Sequence, residues 1–531
     1  MALASPYPDI EIPDVALPDF ILGANTDRPD AVALVDGARG DQLTYGQLAA
    51  YVDRVAAALH ERGLRTGDVV AVFSPNTAWY PVVFHGIAKA GLVSSPINSL
   101  YTPDEIAFQL KDSGAKMLIT VSPFLDRALA AVAQAPVDEV VVMDGAEGHP
   151  SLLDLLGSQA PSPQVDIDPA EDLVTLPYSS GTTGLPKGVM LTHRNLVANV
   201  LQQQAVFDTS HTDERIIAVL PFFHIYGLTV LMNQGLALGG TVVTLPRFEL
   251  EDFLRTLQDQ RVTRAFVAPP IVLALAKHPL VDRYDLSALR TITSGAAPLD
   301  DDLARACEQR LAKGGQGPTV AQGYGMTELS PVSHTTPDAG MEPPGATGEV
   351  PKGSVGYALP NTECRLVDPA TGQDVGPGDR GELWIRGPQV MKGYLNNAEA
   401  TAETIDREGW LHTGDVAVVD EDGRYTVVDR VKELIKYKGY QVAPAELEAV
   451  LVGHPEIADA AVIGVKDDES GEELPKAFVV RTPGSELSGD AVMSFMAEKV
   501  APHKKIRLVE FIEQVPKSAA GKILRNKLKA R

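Results

Sequence analysis

Cysteine is nearly absent from this chain: Cys307 and Cys364 are the only two among 531 residues. Two thiols exclude a disulfide framework and a thiolate metal cluster, and they suit a reducing cytosol. Basic charge is scarce as well. Lysine and arginine number 46 against 70 aspartates and glutamates, a formal net charge of −24. Such a chain repels DNA, RNA and anionic lipid, although a local basic site could still hold one nucleotide. The opening MALASPYPDI lacks the basic residues and apolar stretch of a signal peptide, and the closing KLKAR carries no recognisable targeting tripeptide. A cytoplasmic setting is therefore expected.

One stretch lacks charge altogether. Residues 216 to 246 contain no Asp, Glu, Lys or Arg, which raises the question of a membrane span. Pro221, His224, Asn233, Gln234 and four glycines interrupt it. The stretch divides into a strand (IIAVL), a turn, a helix and a second strand (TVVTL), as a buried element of a water-soluble fold would.

At about 150 residues per domain the length allows roughly three domains. Residues 44 to 63 open with Thr44 and Gln47 in capping-box spacing, place Leu48, Val52, Val55 and Leu59 on one face and stop at Gly63. Short β-branched runs at 69–73, 117–121 and 139–143 alternate with helical patterns such as TPDEIAFQLKDSG, the signature of a layered α/β unit with buried parallel strands. A comparable series runs through LVTLPY, IIAVL, TVVTL, AFVAPP and LRTITSG, which reads as a second layer of the same kind. Beyond about residue 340 the texture turns β-rich, with Asp422-Gly423 where a hairpin loop belongs. After Asp429 come a helix, strands, a helix and a last strand, IRLVEFI. The expected fold class is α/β: layered α/β subdomains and a β-rich subdomain over 1–429, then a small mobile α+β domain over 430–531.

Residues 178 to 188, YSSGTTGLPKG, carry the chemistry most openly. Gly181 and Gly184 let backbone N–H groups turn toward an anion, while the hydroxyls and Lys187 add donors and charge, a composition suited to polyphosphate. Ser/Gly loops of this kind are ordinarily just solvent-exposed. The stretch fits neither a Walker A loop nor G-x-G-x-x-G, which disfavours ordinary P-loop phosphotransfer.

YSSGTTGLPKGV is followed in order by LTHRNL, PFFHIYG, TSGAAPL, QGYGMTE, GELWIRGPQVMKGYL, GWLHTGD, DRVKELIKYKGYQVAPAELE and PKSAAGK. With these motifs the chain resembles the adenylate-forming superfamily over about residues 40 to 525, and within it the acyl-CoA synthetases of the coumarate-CoA ligase and firefly-luciferase-like branch. The resemblance implies a two-step ligase that uses ATP, Mg2+ and coenzyme A. A carboxylate attacks the α-phosphorus of ATP, giving acyl-AMP and pyrophosphate, and the thiol of coenzyme A then displaces AMP. Two anions meet in the first step, so positive charge has to be organised around them.

Residue by residue, the resemblance implies that Ser179, Ser180, Thr182, Thr183 and Lys187, with Gly181 and Gly184, hold the β- and γ-phosphates. Glu328 would hold Mg2+ and Thr327 would touch the α-phosphate. Asp415 and Arg430 resemble the ribose-hydroxyl pair, and Gly295, Ala296, Ala297, Gly323, Tyr324 and Gly325 the adenine slot. Lys522 would reach into the cleft to neutralise the α-phosphate and carboxylate oxygens. A lysine near a C-terminus is otherwise a solvated tail charge. Lys432 matches the hinge about which the small domain turns to present Lys436, Lys438, Gly439 and Gln441 for the second step.

His224 would be the gate or carboxylate neighbour, although a lone histidine in an apolar stretch is more often a satisfied core residue. Tyr226, Val230, Gly295, Pro331 and Val332 fall where coumarate-like members line their acyl site. Val230 stands where hydroxycinnamate ligases tend to carry a small polar residue, and Ser333-His334 where apolar residues are commoner. These departures weaken a 4-hydroxycinnamate assignment and leave aromatic acids and medium or long fatty acids open. Alternatives are an enzyme loading a pantetheinyl carrier protein, luciferase-like oxidation of the adenylate, and an inactive adenylate-binding regulator. PKSAAGK also resembles the context in which an acetyltransferase modifies the catalytic lysine, which would remove its charge.

Overall fold

The computed structural model describes residues 2–179, 186–211, 213–312, 317–430, 433–437, 440–467, 473–518 and 521–529. The helix Tyr45–Glu61 starts where the hydroxyl of Thr44 accepts from the Gln47 amide while the Gln47 side chain accepts from the Thr44 amide. It ends at Gly63, whose φ of 89° is a left-handed conformation that suits glycine. The helix Pro103–Ser113 repeats the device with Thr102 and Glu105 and closes on Gly114 at φ 64°.

Parallel strands Val69–Phe73, Val93–Pro96, Met117–Thr120 and Glu139–Val142 form the heart of the first sheet. The second sheet is built on Arg215–Ala218, Thr241–Thr244, Arg264–Val267, Thr291–Ser294 and Thr319–Gly325, also parallel. Its edges are extended by Val32–Asp36 on one side and Val332–Thr335 on the other. The expected two series are therefore present, with one reassignment. Leu173–Thr175, from LVTLPY, pairs with Ser94 of the first sheet on one side and with Leu191 and Thr192 on the other rather than joining the second, and the Thr175 hydroxyl donates to the Ser94 carbonyl at 3.0 Å.

The uncharged 216–246 stretch is a strand, a turn and a helix, then a strand, all within the second layer. Among the described residues no helix is long and apolar enough to cross a membrane. Its helix, Tyr226–Asn233, is π-helical rather than α-helical, a winding that is rare and often found at functional sites.

A five-stranded sheet follows, made of Glu363–Val367, Gly381–Arg386, Leu411–Val419 and Tyr425–Arg430 with an edge strand from Leu3–Ala4. Gly423, φ 81°, turns the expected Asp422-Gly423 hairpin. Beyond it the helices Pro444–Val452 and Gly489–Lys499 pack on a three-stranded sheet, with an apolar cluster of their own that includes Leu447, Leu451, Val462, Val479 and Met496. Asp429 reaches into this unit, one oxygen accepting from the Ala445 amide in the first turn of Pro444–Val452 at 3.0 Å.

Ser333 and His334 are fully buried, and neither borders the cavity described below. Ser333 Oγ lies 3.0 Å from His334 Nδ1, and Cys364 Sγ lies 3.5 Å from Nε2. The ring lies between Tyr324 and Tyr425, tilted about 60° to each. The doubt that Ser333-His334 cast on an acid assignment is thereby corrected, since these side chains point into the β-rich unit. Cys307 is also fully buried, and burial pushes both thiols up to about 12.

Candidate active site

The carboxyl ends of the parallel strands open on one cavity of about 960 Å3, where open α/β sheets bind ligands. Pro96 and Asn98 border it from the first sheet; Phe223, His224, Gly295 and Gly323 to Gly325 from the second; Thr413, Gly414 and Arg430 from the β-rich unit; Lys517, Ser518, Lys522 and Lys527 from the C-terminal segment.

At one end, Lys187 begins the strand Lys187–Thr192, and Ser179 pairs beside it. Ser180, Gly181, Thr182, Thr183 and Gly184 lie outside the described residues. The same strand pairs with Gly393–Tyr394, which places the Lys187 ammonium 4.3 Å from the centre of the Tyr394 ring. The Tyr394 hydroxyl donates to Glu328 Oε1 at 2.8 Å. Glu328 is buried, in the turn Thr327–Leu329, and both Thr327 and Glu328 border the cavity. Tyr394 thus joins the cation to the carboxylate. Its motif, GELWIRGPQVMKGYL, was visible in sequence, but the tyrosine was not singled out.

The flat part of the cavity is backbone. A methyl group on Gly295 would sit 3.0 Å from the Tyr226 ring, and one on Gly325 would sit 2.0 Å from the Pro331 carbonyl oxygen. Gly295, Ala296, Gly323, Tyr324 and Gly325 all border the space. Ala297 does not, because the chain turns at Ala296, φ 70°. Asp415 is buried behind this wall rather than lining it: its oxygens take the Tyr324 hydroxyl at 2.6 Å and Arg430 Nε at 3.1 Å. Burial and the Asp415 charge hold the Tyr324 phenol well above its ordinary value.

Lys522 stands inside the cavity and not in a solvated tail. Gly521, φ 81°, precedes it so near the second sheet that an added methyl would lie 3.2 Å from Ala268 Cβ. Three residues on, Arg525 grips Glu433 at 2.8 Å, Glu448 at 2.7 Å and the Val462 carbonyl at 3.2 Å, anchoring the segment to the small unit's framework. Burial pulls the Lys522 ammonium down from 10.5 to about 8, aided by Arg430 and opposed by Asp415, Glu433 and Glu328. His224 faces the same space. Burial, and secondarily Lys522, lowers its imidazole to about 4. Its Nδ1 accepts from the Tyr226 amide at 3.2 Å, so the neutral ring carries its proton on Nε2.

Tyr226, Val230, Pro331 and Val332 border the remaining end as expected, together with Gln203, Phe207, Phe266 and Thr335, which sequence reasoning missed. Lys432, Lys438 and Gly439 lie outside the described residues. Lys436 and Gln441 face each other across the hairpin Ile435–Tyr437 and Tyr440–Val442, and their side chains are likewise outside.

Among the described residues no cluster of three or more His, Cys, Asp or Glu could cage a metal. A single buried carboxylate beside a lysine suits Mg2+ carried on substrate phosphates, an ion bound through one or two carboxylates and otherwise by phosphate and water.

The chain matches the AMP-binding enzyme family over residues 23–395 and the AMP-binding enzyme C-terminal domain over 446–522. It is 42% identical to 4-coumarate-CoA ligase 1 of Narcissus pseudonarcissus, covering 98% of this chain and 95% of that one. Its fold is similar to ATP-bound MatB from Rhodopseudomonas palustris, with TM-score 0.86 and 31% identity over 97% of this chain and 99% of that chain. It is also similar to the anthranilate CoA ligase AuaEII in complex with anthranoyl-AMP, with TM-score 0.88 and 27% identity over 98% of both. A cavity that gathers Lys187, Glu328, Arg430 and Lys522 at the strand ends of such a fold, matched along nearly its whole length, places the chain among the adenylate-forming AMP-binding enzymes, in the acyl-CoA synthetase branch with the coumarate-CoA ligases.

Proposed function

We propose that this acyl-CoA ligase, using ATP, Mg2+ and coenzyme A, activates an aromatic acid of the cinnamate class through its acyl-adenylate. The carrying observation is Lys522, a half-buried lysine from the C-terminal segment that borders one cavity with Glu328, Arg430 and Tyr324.

In the first step the acid lies between Tyr226, Val230, Pro331 and Val332. Its carboxylate is met by His224 Nε2–H, which is neutral and so donates without adding charge. Lys522 neutralises the carboxylate and α-phosphate oxygens as they approach, and Thr327 bonds the α-phosphate. Ser179, Ser180, Thr182, Thr183 and Lys187 hold the departing pyrophosphate. Glu328 is the residue that would hold Mg2+, which supplies charge neutralisation across the phosphates. Adenine lies in the slot of Gly295, Ala296, Gly323, Tyr324 and Gly325, and Arg430, fixed by Asp415, bonds the ribose.

In the second step coenzyme A displaces AMP. With Lys522 in the cleft the thiol needs another face, so residues 430–531 turn about Lys432 on the 1–429 body and bring Lys436, Lys438, Gly439 and Gln441 forward. Acetylation of Lys522 would silence the first step alone. Two buried thiols suit a reducing cytosol as its compartment.

The test is acid-dependent pyrophosphate release across cinnamates and fatty acids, with coenzyme A or a pantetheinyl carrier protein as acceptor. Cinnamoyl-CoA and AMP in equal amounts are the expected products. Release that requires no acid, or transfer to the carrier alone, would overturn the reading.

A further inference from the structure

The acid end of the cavity has a floor. Phe207 follows the helix His193–Gln204, is 2% exposed and borders the cavity beside Phe266, their ring centres 6.0 Å apart. Phe266 and Arg264 are two apart on the strand Arg264–Val267 and therefore share a face. The carboxyl end of that strand leads to Ala268 at the Lys522 mouth, so Arg264 lies about 6.6 Å deeper than Phe266. It does not border the cavity. Its guanidinium carbon sits 4.9 Å from the centre of the Phe207 ring.

Arg264 is 3% exposed and bidentate to Asp338, at 3.1 and 2.6 Å, with Glu214 3.7 Å away. Asp338 also grips the chain on both sides of the phenylalanine. Its amide donates to the Val206 carbonyl at 3.0 Å, and its carboxylate accepts from the Asp208 amide at 2.9 Å. Phe207 is thus held by its backbone neighbours, by a cation on one face of its ring and by a second aromatic ring.

We propose that Phe207, backed by the Arg264–Asp338 pair, is a specificity-determining residue that limits the acid to about one ring and a short side chain and excludes long acyl chains. The proposal rests on the acid-activating reading above and deepens it. A longer chain would have to swing Phe207 aside and then lay methylenes against a buried ion pair. Displacing Arg264 instead would strip the largely buried Asp338 carboxylate of its bidentate cation, while Glu214 would keep Arg290 at 2.9 Å, and that loss is more costly still.

The test is kcat/KM for acid-dependent pyrophosphate release with 4-coumarate, cinnamate, hexanoate and dodecanoate. It compares the unaltered enzyme with Phe207→Ala, Phe207→Leu and the double variant Arg264→Met/Asp338→Leu. Ratios between acids within one preparation cancel differences in folded fraction, so a merely structural role would not move them. The unaltered enzyme should favour cinnamates over dodecanoate by about 100-fold or more, since several methylenes lack a place. Phe207→Ala should raise the dodecanoate-to-cinnamate ratio at least about tenfold. Phe207→Leu should do so less, and it serves if the alanine variant does not fold. Equal use of dodecanoate and cinnamate by the unaltered enzyme overturns the proposal. So does a ratio unmoved in every folded variant. Failure of all the acids to release pyrophosphate overturns the acid-activating reading and this inference with it.

Discussion

At Lys522 two pressures oppose one another. Burial beside Arg430 lowers the ammonium to about 8, while Asp415, Glu433 and Glu328 resist the fall. The charge is therefore present below about pH 8 and is lost as pH rises through it. Adenylation kcat/KM, which reports the free enzyme's groups, should decline above about pH 8. Conversion of supplied acyl-AMP should show no such limb from this lysine. His224, lowered to about 4, stays neutral across that range and cannot produce the limb. Lys522→Ala should slow acyl-AMP formation by about 100-fold or more, the scale for losing a preorganised charge stabiliser, and leave the second half-reaction much less affected. Rapid-quench measurement of each half checks both statements; equal losses in the two would contradict the assigned role. Lys522 was legible as part of PKSAAGK, yet nothing local in those letters sets its acidity. That depends on burial in the cavity and on Arg430, 92 positions earlier at the end of the strand Tyr425–Arg430. Tyr394 escaped notice for the same reason: its partner Glu328 is 66 positions away.

Among the elements, those governed by neighbours in sequence were read correctly. Thr44 with Gln47 caps its helix as spacing dictates, and TPDEIAFQLKDSG forms the helix its pattern implies. Parallel strands are harder to assign to sheets because buried runs of Val, Ile and Leu look alike, and Leu173–Thr175 was placed in the wrong sheet accordingly. The winding of Tyr226–Asn233 was not legible either, since IYGLTVLMN fits any buried helix. Gly227 packs there so tightly that a methyl would lie 2.1 Å from the Pro221 carbonyl oxygen. Gly227→Ala should therefore destabilise the chain by about 2 kcal/mol or more, the range for overpacking against unyielding atoms. It should also weaken acid binding, because Pro221 leads directly to His224. Denaturant unfolding alongside the KM for the acid would check this. An unchanged unfolding midpoint would mean that the turn yields freely.

On the scale of the whole molecule, the two family matches leave 396–445 between them, and that interval contains both Asp429 and Lys432. The Asp429 carboxylate caps the Pro444–Val452 helix across the proposed boundary, so turning the small unit would give up this contact. If residues 430–531 turn about Lys432, Lys432→Pro should leave acyl-AMP formation nearly intact and slow thioester formation from acyl-AMP by about tenfold or more, as a hinge residue that absorbs backbone rotation would. Full-rate thioester formation would argue for a fixed arrangement. A small α+β unit was legible from the order of its strands and helices. Its docking was not, because the close approach of Gly521 to Ala268 exists only once both units are folded.

Both sulfhydryls are sealed inside the folded chain and resist ionisation up to about 12. The native enzyme should therefore stay silent toward Ellman's reagent, and disappearance of the free pantetheine thiol could be followed colorimetrically, minute by minute, without a background from the catalyst itself.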